Sequence, residues 1–516
     1  MREFPALSPL FPEILALHGR WRSEKLAVAT DDTRKTWSEF VADNHRFAHG
    51  LLAAGIKSGD RVGVFMENGY PMLTALFGTL ASGAVSVPLN TSVSDAAIIA
   101  MLGDAGISAL IVSDEYRGRF DALLPQLPKG VLCISNTQVP GWQSMGRLAS
   151  GQPDTLPDVL LSHDAPLNII YSSGTTGLPK GILHTHGGRR DWAYDLTIAL
   201  RYHSGARTLL TIGLYSNISW VAMLCTLLAG GTLVVHPRFE ASAFLKTVET
   251  QSITHTAMVP IQFQRVLEAQ LLSPHDLSSM QAMMSCGSPL HEGLKRALFD
   301  TFLCGIIELY GLTEGIITTL DPENAEGRWS SVGKPLLGTD ILIVGDDDEP
   351  CAVGQAGEIV SRGRITMPGY WQRDDANIAA RYVDTTGQLW LRSGDIGHLD
   401  AQGFLYIVDR KKDMILSGGQ NIYPQDIEAV LVSHPQIEDV AVIGASSKRW
   451  GETPIALVVM RDADITMTSL LDWANQRLGK QQRLAECIQT EELPRNPNGK
   501  ILKRELRKQY GEKTYV

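Results

Sequence analysis

The stretch IIYSSGTTGLPKG occupies residues 169–181 and predicts the architecture around it. An apolar strand is expected to end at Tyr171, and six of the next seven residues are Ser, Thr or Gly. Glycines let the backbone approach an anion, hydroxyls and N–H groups donate hydrogen bonds, and Lys180 supplies a positive charge. A Walker loop is excluded, because only two residues separate Gly174 from Gly177 and a glycine follows the lysine. The pattern predicts a phosphate-holding loop, against the alternative of a flexible surface linker.

The sequence on both sides of this loop alternates short Val/Ile/Leu runs with segments at helical spacing, from residue 25 to about residue 320. Runs such as Arg61–Met66 and Ala109–Ser113 are typical strands of βαβ units, which predicts largely parallel sheets with helices on both faces. The uncharged stretch Gly69–Leu89 is long enough to span a bilayer, but its glycines and prolines favour a buried helix that runs into a strand.

The C-terminal third changes character. Residues 330–408 contain short strands separated by Gly/Asp turns, which indicates antiparallel β structure. The charged run DRKKD follows, and the last hundred or so residues again mix helices and strands. We therefore predict an N-terminal domain over 1–408, a hinge at 409–412 and a C-terminal domain over 413–516, in an α/β protein.

Composition excludes several classes of protein. Hydrophobic residues make up 44% and charged residues 20%, as in soluble globular proteins, and the net charge of −10 argues against a nucleic-acid partner. The six cysteines form no CxxC pair and no zinc spacing with histidines, so neither a disulfide framework nor a structural metal is expected. The N-terminus lacks the pattern of a signal peptide, which favours a cytoplasmic enzyme.

Three further motifs carry chemically useful side chains. In IIELYGLTEG, Thr313 and Glu314 could hold Mg²⁺ on nucleotide phosphates, while Tyr310 offers a flat face to a base; a strand end followed by a helix cap is the alternative. In LRSGDIGHLD, Asp395 could accept from a ribose diol or only from its own turn. In PRNPNGKILK, a forced turn ends at Lys500, which taken alone could be merely solvated.

The motifs YSSGTTGLPKG, YGLTE, SGDIG, DRKKDMILSGGQNIYP and PRNPNGK occur in this order and cover most of the chain. Together they resemble the adenylate-forming superfamily of acyl-CoA synthetases, peptide-synthetase adenylation domains and luciferases, and most closely the fatty-acyl and related acyl-CoA ligases. The resemblance implies a large N-terminal domain of parallel α/β sheets with a small β-barrel-like region, followed by a small, mobile α+β lid domain. It also implies two half-reactions: a carboxylate attacks the α-phosphate of ATP to give an acyl adenylate and pyrophosphate, and CoA then displaces AMP.

The resemblance assigns nucleotide-binding roles residue by residue. The β- and γ-phosphates would be held by the loop residues Ser172, Ser173, Gly174, Thr175, Thr176, Gly177 and Lys180. The adenine would lie among Gly287, Ser288, Pro289, Glu308, Leu309, Tyr310 and Gly311. Thr313 would touch the α-phosphate, Glu314 and Thr176 would hold Mg²⁺, and Asp395 and Arg410 would bind the ribose.

The resemblance also assigns residues to the two chemical steps. Lys500 would bridge the carboxylate and the α-phosphate, where a cation offsets the charge of two anions that repel each other. It would act in the first step only, as a catalytic residue together with Thr313, Glu314 and Lys180. Lys412 would be the hinge about which the C-terminal domain rotates. Gly418 and Gly419 would line the tunnel for the CoA thiol, with Trp450 beside CoA.

The acyl pocket departs from the family pattern, since Tyr215 fits the expected aromatic residue but Ser216 stands where histidine is usual. The candidate lining, for which core packing is the alternative, is Leu214, Tyr215, Ser216, Asn217, Trp220, Cys286, Gly311 and Ile316. No Arg or Lys stands out among these positions, which argues against a second carboxylate and favours a medium- or long-chain fatty, alicyclic or aryl acid.

Two acceptors stay open for the activated acyl group. The first is CoA, so that the substrates are ATP, CoA and a small carboxylic acid. The second is a separate carrier protein loaded by a stand-alone adenylation enzyme. A homodimer is left open.

Overall fold

The computed structural model describes residues 9–172, 180–418, 420–461, 465–480, 482–495, 499–511 and 513–515. The chain divides into two compact units: the first comprises Met1–Asp340 and Arg362–Arg381, and the second comprises Ile341–Ser361 and Tyr382–Val516. This division by contacts differs in position from the expected hinge at 409–412, which concerns a movement and stays a prediction. None of the described helices is long and apolar enough to cross a membrane.

The strands of the described residues are numbered in chain order. They are β1 (Leu26–Ala29), β2 (Arg34–Thr36), β3 (Arg61–Phe65), β4 (Val85–Pro88), β5 (Ala109–Val112), β6 (Leu132–Ser135), β7 (Gln143–Ser144), β8 (Pro166–Ser172), β9 (Lys180–Thr185), β10 (Arg207–Leu210), β11 (Thr232–Val235), β12 (His255–Met258), β13 (Ala282–Ser285), β14 (Ile307–Gly311), β15 (Ile317–Leu320), β16 (Lys334–Pro335), β17 (Thr339–Val344), β18 (Gly357–Gly363), β19 (Gly369–Tyr370), β20 (Arg381–Val383), β21 (Leu389–Leu399), β22 (Leu405–Arg410), β23 (Ile415–Ser417), β24 (Gln420–Ile422), β25 (Ile437–Ser447), β26 (Gly451–Met460) and β27 (Glu486–Gln489).

The α-helices are numbered in the same way. They are α1 (Phe11–Trp21), α2 (Trp37–Ala53), α3 (Tyr70–Ala81), α4 (Asp95–Ala105), α5 (Asp114–Leu123), α6 (Met145–Ala149), α7 (His186–Ala199), α8 (Asn217–Ala229), α9 (Ala241–Gln251), α10 (Pro260–Leu272), α11 (Glu292–Thr301), α12 (Pro322–Ala325), α13 (Asp374–Ala379), α14 (Pro424–Val432), α15 (Met467–Asn475) and α16 (Lys503–Tyr510).

Two mixed sheets form the framework of the first unit. One has the strand order β16-β15-β14-β13-β12-β10-β11-β1-β2 and the other β19-β9-β8-β4-β3-β5-β6-β7. Their central strands pair in parallel, as the alternating sequence predicts, while β2, β15, β16, β9 and β19 add antiparallel pairing toward the edges. The α/β class is therefore confirmed, with sheets that are mixed rather than wholly parallel.

Helices α3 and α8 are almost wholly apolar, and most of their residues are buried. They belong to one hydrophobic cluster that also contains residues of β3 and β10, so apolar surface is removed from water on every side of each helix. The prediction that the uncharged stretch near residue 70 is a buried helix leading into a strand is confirmed by α3 and β4.

The second unit contains the antiparallel structure that the Gly/Asp turns predict. One sheet has the order β17-β18-β21-β20 with β22 paired to β21, and the other has the order β24-β23-β26-β25 with β27 paired to β26. Helices α14 and α15 contribute to the hydrophobic cluster of the second sheet. The mobility expected for a C-terminal lid stays a prediction.

Candidate active site

Strands β8 and β9 carry the base of the predicted phosphate loop. They pair antiparallel, with Ser172 opposite Lys180. The phenol of Tyr171 donates to Asp104 Oδ2 at 2.7 Å, and Arg373 forms an ion pair with the same carboxylate. Burial, and then Asp104, raise the pKa of Tyr171, so its hydroxyl stays a donor. The base of the loop is thus fixed by neutral and charged hydrogen bonds.

The loop itself lies outside the described residues. It comprises Ser173, Gly174, Thr175, Thr176 and Gly177, together with the two residues that follow them. Their contacts with phosphates and with Mg²⁺ therefore stay predictions.

A tight hairpin between β14 and β15 presents Thr313 and Glu314. Leu312 N–H donates to the carbonyl of Ile316 at 2.9 Å, and Gly315 N–H donates to that of Leu312 at 3.1 Å. Gly315 has a φ of +116°, and a Cβ there would lie 2.4 Å from the carbonyl oxygen of Ile365. Only glycine fits at this position without movement of the backbone.

Gly311, at the end of β14, is similarly constrained. A Cβ at this position would lie 2.5 Å from the carbonyl oxygen of Ile316. Its place in the family motif therefore has a structural reason besides any contact with the nucleotide.

Tyr370 joins the phosphate loop to this hairpin. Strand β19 pairs with β9, so that Tyr370 lies opposite Ile182. The Tyr370 hydroxyl donates to Glu314 Oε1 at 3.0 Å, and Lys180 Nζ lies 4.9 Å from the centroid of its ring. Burial, and then Glu314, raise the pKa of Tyr370, which keeps the phenol neutral. Lys180 and Glu314, which are both expected to act on the phosphates, thus both contact Tyr370. The sequence analysis missed this tyrosine.

The two segments expected to enclose adenine are neighbours. Strands β13 and β14 run in parallel, with Ser285 opposite Glu308, so Cys286 and Gly287 emerge beside Leu309 and Tyr310. Tyr310 is half-buried, Ser288 is half-buried, and Gly287 and Pro289 are exposed. Carboxyl ends of parallel strands are the usual place for a nucleotide in an open α/β sheet.

The side chain of Glu308 has a different environment from the one expected beside an adenine amino group. It is buried and forms an ion pair with Lys295, whose Nζ also donates to the carbonyl of Trp329 at 2.5 Å. Burial raises the pKa of Glu308, while Lys295 opposes the shift. The contact of Glu308 with adenine stays a prediction.

The second unit brings together the residues expected at the ribose and the reacting carboxylate. Asp395 on β21 lies opposite Arg410 on β22, with Arg410 Nε 3.3 Å from Asp395 Oδ1. Gly499, with a φ of +77°, makes the turn that presents Lys500. Burial, and then the positive charge of Arg410, lower the pKa of Lys500 to about 7, against the attraction of Asp395.

The candidate tunnel residues Gly418 and Trp450 are in contact within the second unit. Gly418 N–H donates to the carbonyl of Trp450 at 2.8 Å, and a Cβ on Gly418 would lie 2.8 Å from the indole ring. Trp450 is 48% exposed, and the guanidinium carbon of Arg449 lies 4.7 Å from its ring centroid. Gly419 lies outside the described residues, and Lys412 is exposed in the turn after β22.

The acyl-pocket candidates divide by burial. Leu214, Trp220, Cys286 and Ile316 are buried, whereas Tyr215 and Asn217 are half-buried. Ser216 caps α8 by accepting a hydrogen bond from Ile218 N–H at 3.4 Å. Asn68, which the sequence analysis missed, fixes this segment by accepting from Leu214 N–H at 2.8 Å. Leu214, Trp220 and Cys286 belong to the main hydrophobic cluster of the first unit, and their contact with an acyl group stays a prediction.

A cation lies beside one of these candidates, although none of the candidate positions is itself an arginine or a lysine. Arg189 of α7 donates from Nη2 to Asn217 Oδ1 at 2.8 Å. The sequence could not show this contact, because the two residues are 28 positions apart and meet only when α7 and α8 pack together.

The donor chemistry fits a magnesium ion that arrives with a nucleotide. Within the described part of the chain, no group of three or more His, Cys, Asp and Glu side chains converges as a dedicated metal cage. Mg²⁺ is usually held by one or two carboxylates together with phosphates, and Glu314 supplies one carboxylate beside Lys180. When bound, the ion would neutralise phosphate charge, while Glu314 would hold it and Tyr370 would orient Glu314.

Fold and site together define an adenylate-forming enzyme, and comparison with known proteins agrees. Residues 17–371 match the AMP-binding enzyme family, and residues 426–500 match the AMP-binding enzyme C-terminal domain. The chain belongs to this family, which confirms the resemblance inferred from its motifs.

Its relatives include proteins named as CoA ligases. The chain is 34% identical to a feruloyl-CoA synthase of Amycolatopsis over 94% of this chain and 96% of the relative. It is 33% identical to a long-chain-fatty-acid–CoA ligase of Mycobacterium tuberculosis over 95% and 96%. The structure of the o-succinylbenzoate CoA synthetase of Bacillus subtilis, in complex with its acyl-adenylate intermediate, superposes with a TM-score of 0.85 at 29% identity, over 96% of this chain and 98% of the other. The same synthetase has also been solved with ATP and magnesium ion.

Proposed function

We propose that this protein is an ATP-dependent acyl-CoA ligase whose substrate is a predominantly apolar aryl acid. The class of acid–CoA ligase is confirmed by relatives with that activity across nearly the full chain. The aryl group is the finer proposal, and the feruloyl and o-succinylbenzoate relatives support it. The fatty-acid relative keeps a medium- or long-chain acid as the second candidate.

The observation that carries the proposal is the junction of Lys180, Tyr370 and Glu314. Lys180 Nζ lies near the ring of Tyr370, and Glu314 accepts a hydrogen bond from the hydroxyl of the same tyrosine. Tyr370 is held there by the pairing of β19 with β9. Lys180 can then bind the triphosphate while Glu314 binds its magnesium ion, because each side chain meets a ligand of opposite charge.

The chemistry follows in two steps. In the first, the acid's carboxylate oxygen attacks the α-phosphorus of ATP and pyrophosphate leaves, and Lys500 offsets the charge that the two anions bring together. In the second, the CoA thiol loses its proton and its sulfur attacks the acyl carbon, so that the thioester forms and AMP leaves. Gly418 and Trp450 are proposed to act in this second step, and Asp395 and Arg410 to hold the ribose in both.

The test is the formation of AMP from Mg-ATP with a panel of acids, each measured with and without CoA. The panel comprises acetate, malonate, octanoate, palmitate, benzoate, cinnamate and cyclohexanecarboxylate. We expect CoA-dependent AMP formation to be fastest with an aromatic acid. A maximum at palmitate would reject the aryl group but keep the ligase.

The acceptor is tested in the same assay. If some acid gives pyrophosphate release but CoA has no effect on AMP formation, the CoA ligase is rejected. The result would instead indicate an adenylation enzyme that loads a separate carrier protein.

We also propose a cytoplasmic location. All six cysteines are free thiols in the structure, three of them buried, as is usual for proteins of reducing compartments. Reaction of the thiols with a membrane-impermeant reagent in intact and in lysed cells would test this location, since a cytoplasmic protein is labelled only after lysis.

A further inference from the structure

Arg189 is a buried cation on α7. It has 1% of its surface exposed, and no carboxylate among the described residues forms an ion pair with it. Its neighbours are the ring of Trp192, 4.4 Å from the guanidinium carbon, and the ring of Trp220, 5.7 Å away. A buried guanidinium is costly unless polar groups compensate it, so its few hydrogen bonds carry unusual weight.

The first of these hydrogen bonds fixes the orientation of Asn217. Arginine only donates, so the atom of Asn217 that lies 2.8 Å from Nη2 must be the acceptor Oδ1. The amide group Nδ2 therefore faces the other way, with two N–H donors. No acceptor for them exists among the residues that the structure describes, and the side chain is half-buried.

The second hydrogen bond links Arg189 to the nucleotide motif. Arg189 Nη2 lies 3.2 Å from His184 Nδ1, and His184 Nε2 lies 2.8 Å from the carbonyl oxygen of Thr313. Because the carbonyl only accepts, His184 Nε2 carries a proton and donates it to Thr313. Nδ1 faces the Arg189 donor and also lies 3.1 Å from Asn168 Oδ1, and in the neutral ring it is the unprotonated nitrogen. Burial, and then Arg189, lower the pKa of His184 well below its usual value, in agreement with this tautomer.

These contacts connect Asn217 to the motif expected at the α-phosphate. A chain of three hydrogen bonds runs from Asn217 through Arg189 and His184 to Thr313, which belongs to the motif expected at the α-phosphate. Asn217 is also among the residues that the sequence analysis assigns to the acyl pocket, so its Nδ2 donors would meet the acyl group of an acid whose carboxylate reacts near Thr313. The uncompensated charge of Arg189 further favours an electron-rich atom at Nδ2.

We propose that Asn217 is a specificity-determining residue that donates a hydrogen bond from Nδ2 to an oxygen on the acyl group, and that Arg189 is the positioning residue that holds the amide in this orientation. The inference rests on the proposed ligase function and narrows its substrate class to acids with an apolar, aromatic body and a distal hydroxyl, methoxy, keto or carboxylate oxygen.

The test compares matched acids that differ by one oxygen. The probes are cinnamate with 4-hydroxycinnamate and 4-methoxycinnamate, 4-phenylbutanoate with 4-oxo-4-phenylbutanoate, and octanoate with 8-hydroxyoctanoate. The readout is the ratio of kcat/KM for the oxygenated acid to that for its parent, from CoA-dependent AMP formation by the full-length enzyme. We expect a ratio of about ten or more for at least one pair, as a single well-placed hydrogen bond provides.

Substitution separates a specific donor from a general packing role. Asn217→Leu keeps the size and removes both donors, so the ratio should fall to one or below, because kcat/KM for the oxygenated acid falls more than kcat/KM for its parent. Ile218→Val, the neighbouring residue of the same helix, is the control and should leave the ratio unchanged. If the leucine variant does not fold, Asn217→Asp carries the test with the methoxy and keto probes, because a carboxylate offers no donor to an oxygen that can only accept.

Arg189 is tested by the same ratio. Arg189→Gln should lower the ratio more than it lowers kcat/KM for the parent acid, and Arg189→Lys should restore part of it. An equal loss for both acids of a pair would show a merely structural role and overturn the positioning role.

The two proposals fail in different ways. A ratio near one for every pair in the wild-type enzyme, or an unchanged ratio in Asn217→Leu, would overturn the inference while the ligase stands. Absence of CoA-dependent AMP formation with every acid would overturn the proposed function itself, and the inference with it.

Discussion

At the scale of single residues, most of the expected chemistry depends on a few side chains whose charge is tuned by neighbours. Tyr370 stays neutral and donates a hydrogen bond to Glu314. Burial and the charge of Arg410 lower the pKa of Lys500 to about 7. Both environments are unusual for their residue types, which is typical of functional sites. Each gives a prediction that can be checked without a structure of a complex.

Tyr370→Phe removes one hydroxyl and leaves the ring beside Lys180. The lost hydrogen bond to the Glu314 carboxylate should raise the KM for Mg-ATP and lower kcat/KM for pyrophosphate release by about tenfold. Thioester formation from preformed acyl adenylate should be unaffected. Tyr194→Phe, at an exposed position of α7, is the control, and equal behaviour of the two variants would refute the role of Tyr370.

Lys500 predicts a pH dependence of the first half-reaction. Its pKa is lowered to about 7 by burial, Arg410 and Lys412, with Asp395 and Asp413 acting in the opposite direction. The cation is the active form, so kcat/KM for pyrophosphate release should be fully present below pH 7 and should decline as pH rises above it.

The control for this pH dependence is Lys500→Arg, whose guanidinium stays charged throughout the range. The variant should lack the decline. Superimposable pH profiles of wild type and variant up to pH 9 would contradict the assignment.

The sequence proposed candidate residues more readily than it indicated their partners. Lys180, Glu314, Asp395 and Lys500 were proposed because each stands in a motif of local chemistry, and their roles stay predictions. Tyr370 was missed, since it lies 56 residues from Glu314 in the sequence and meets it only through the pairing of β19 with β9. Arg189 was missed for the same reason.

At the scale of elements, hairpins and strand ends set the positions of the functional side chains. The βαβ pattern and the antiparallel region were predictable from periodicity and turn residues, because those signals are local. The antiparallel edges of the large sheets were not, because edge pairing depends on which segment reaches the sheet from a distance. The hairpin between β14 and β15 shows how tightly such an element can be constrained.

Gly315→Ala should damage both activity and stability. Its positive φ and the Ile365 carbonyl oxygen leave no room for a Cβ, so the hairpin that presents Glu314 must shift. We expect a loss of about 2 kcal/mol or more in the free energy of unfolding and at least tenfold slower pyrophosphate release. Urea denaturation and the pyrophosphate assay would measure the two effects.

A matched control exists in the same unit. Gly327 also has a positive φ, of +75°, but a Cβ there would meet no atom within 4 Å. Gly327→Ala should cost only the backbone strain, about 1 kcal/mol, and leave activity intact. Equal losses in the two alanine variants would show that the close approach at Gly315 has no consequence.

At the scale of the whole molecule, the chain is built from two compact units that together match one family along nearly the whole sequence. Domain rotation about Lys412 between the two half-reactions stays a prediction, since it concerns a change between states. The turn around Lys412 nevertheless permits a sharp test, because Lys411 N–H donates to the carbonyl of Gly394 and Asp413 N–H donates to that of Arg410, both at 2.9 Å.

Lys412→Pro should fix the φ angle of the turn while leaving those two hydrogen bonds in place. If rotation about this residue joins the two steps, the variant should keep one half-reaction near the wild-type rate and lose the other by at least a hundredfold. Lys412→Ala, which keeps the backbone free, should retain both. Unchanged rates of both half-reactions in the proline variant would rule out a hinge at this residue.

The central claim, that one enzyme forms an acyl adenylate and passes the acyl group to CoA, is tested most directly by a single-turnover experiment. The enzyme is mixed with Mg-ATP and the radiolabelled acid that gives the highest rate in the AMP assay, first without CoA and then with CoA added. We predict that acyl adenylate accumulates to about one equivalent per active site and is converted to acyl-CoA and AMP when CoA is added. Failure to trap any acyl adenylate, or an acyl adenylate that CoA does not discharge, would contradict the account.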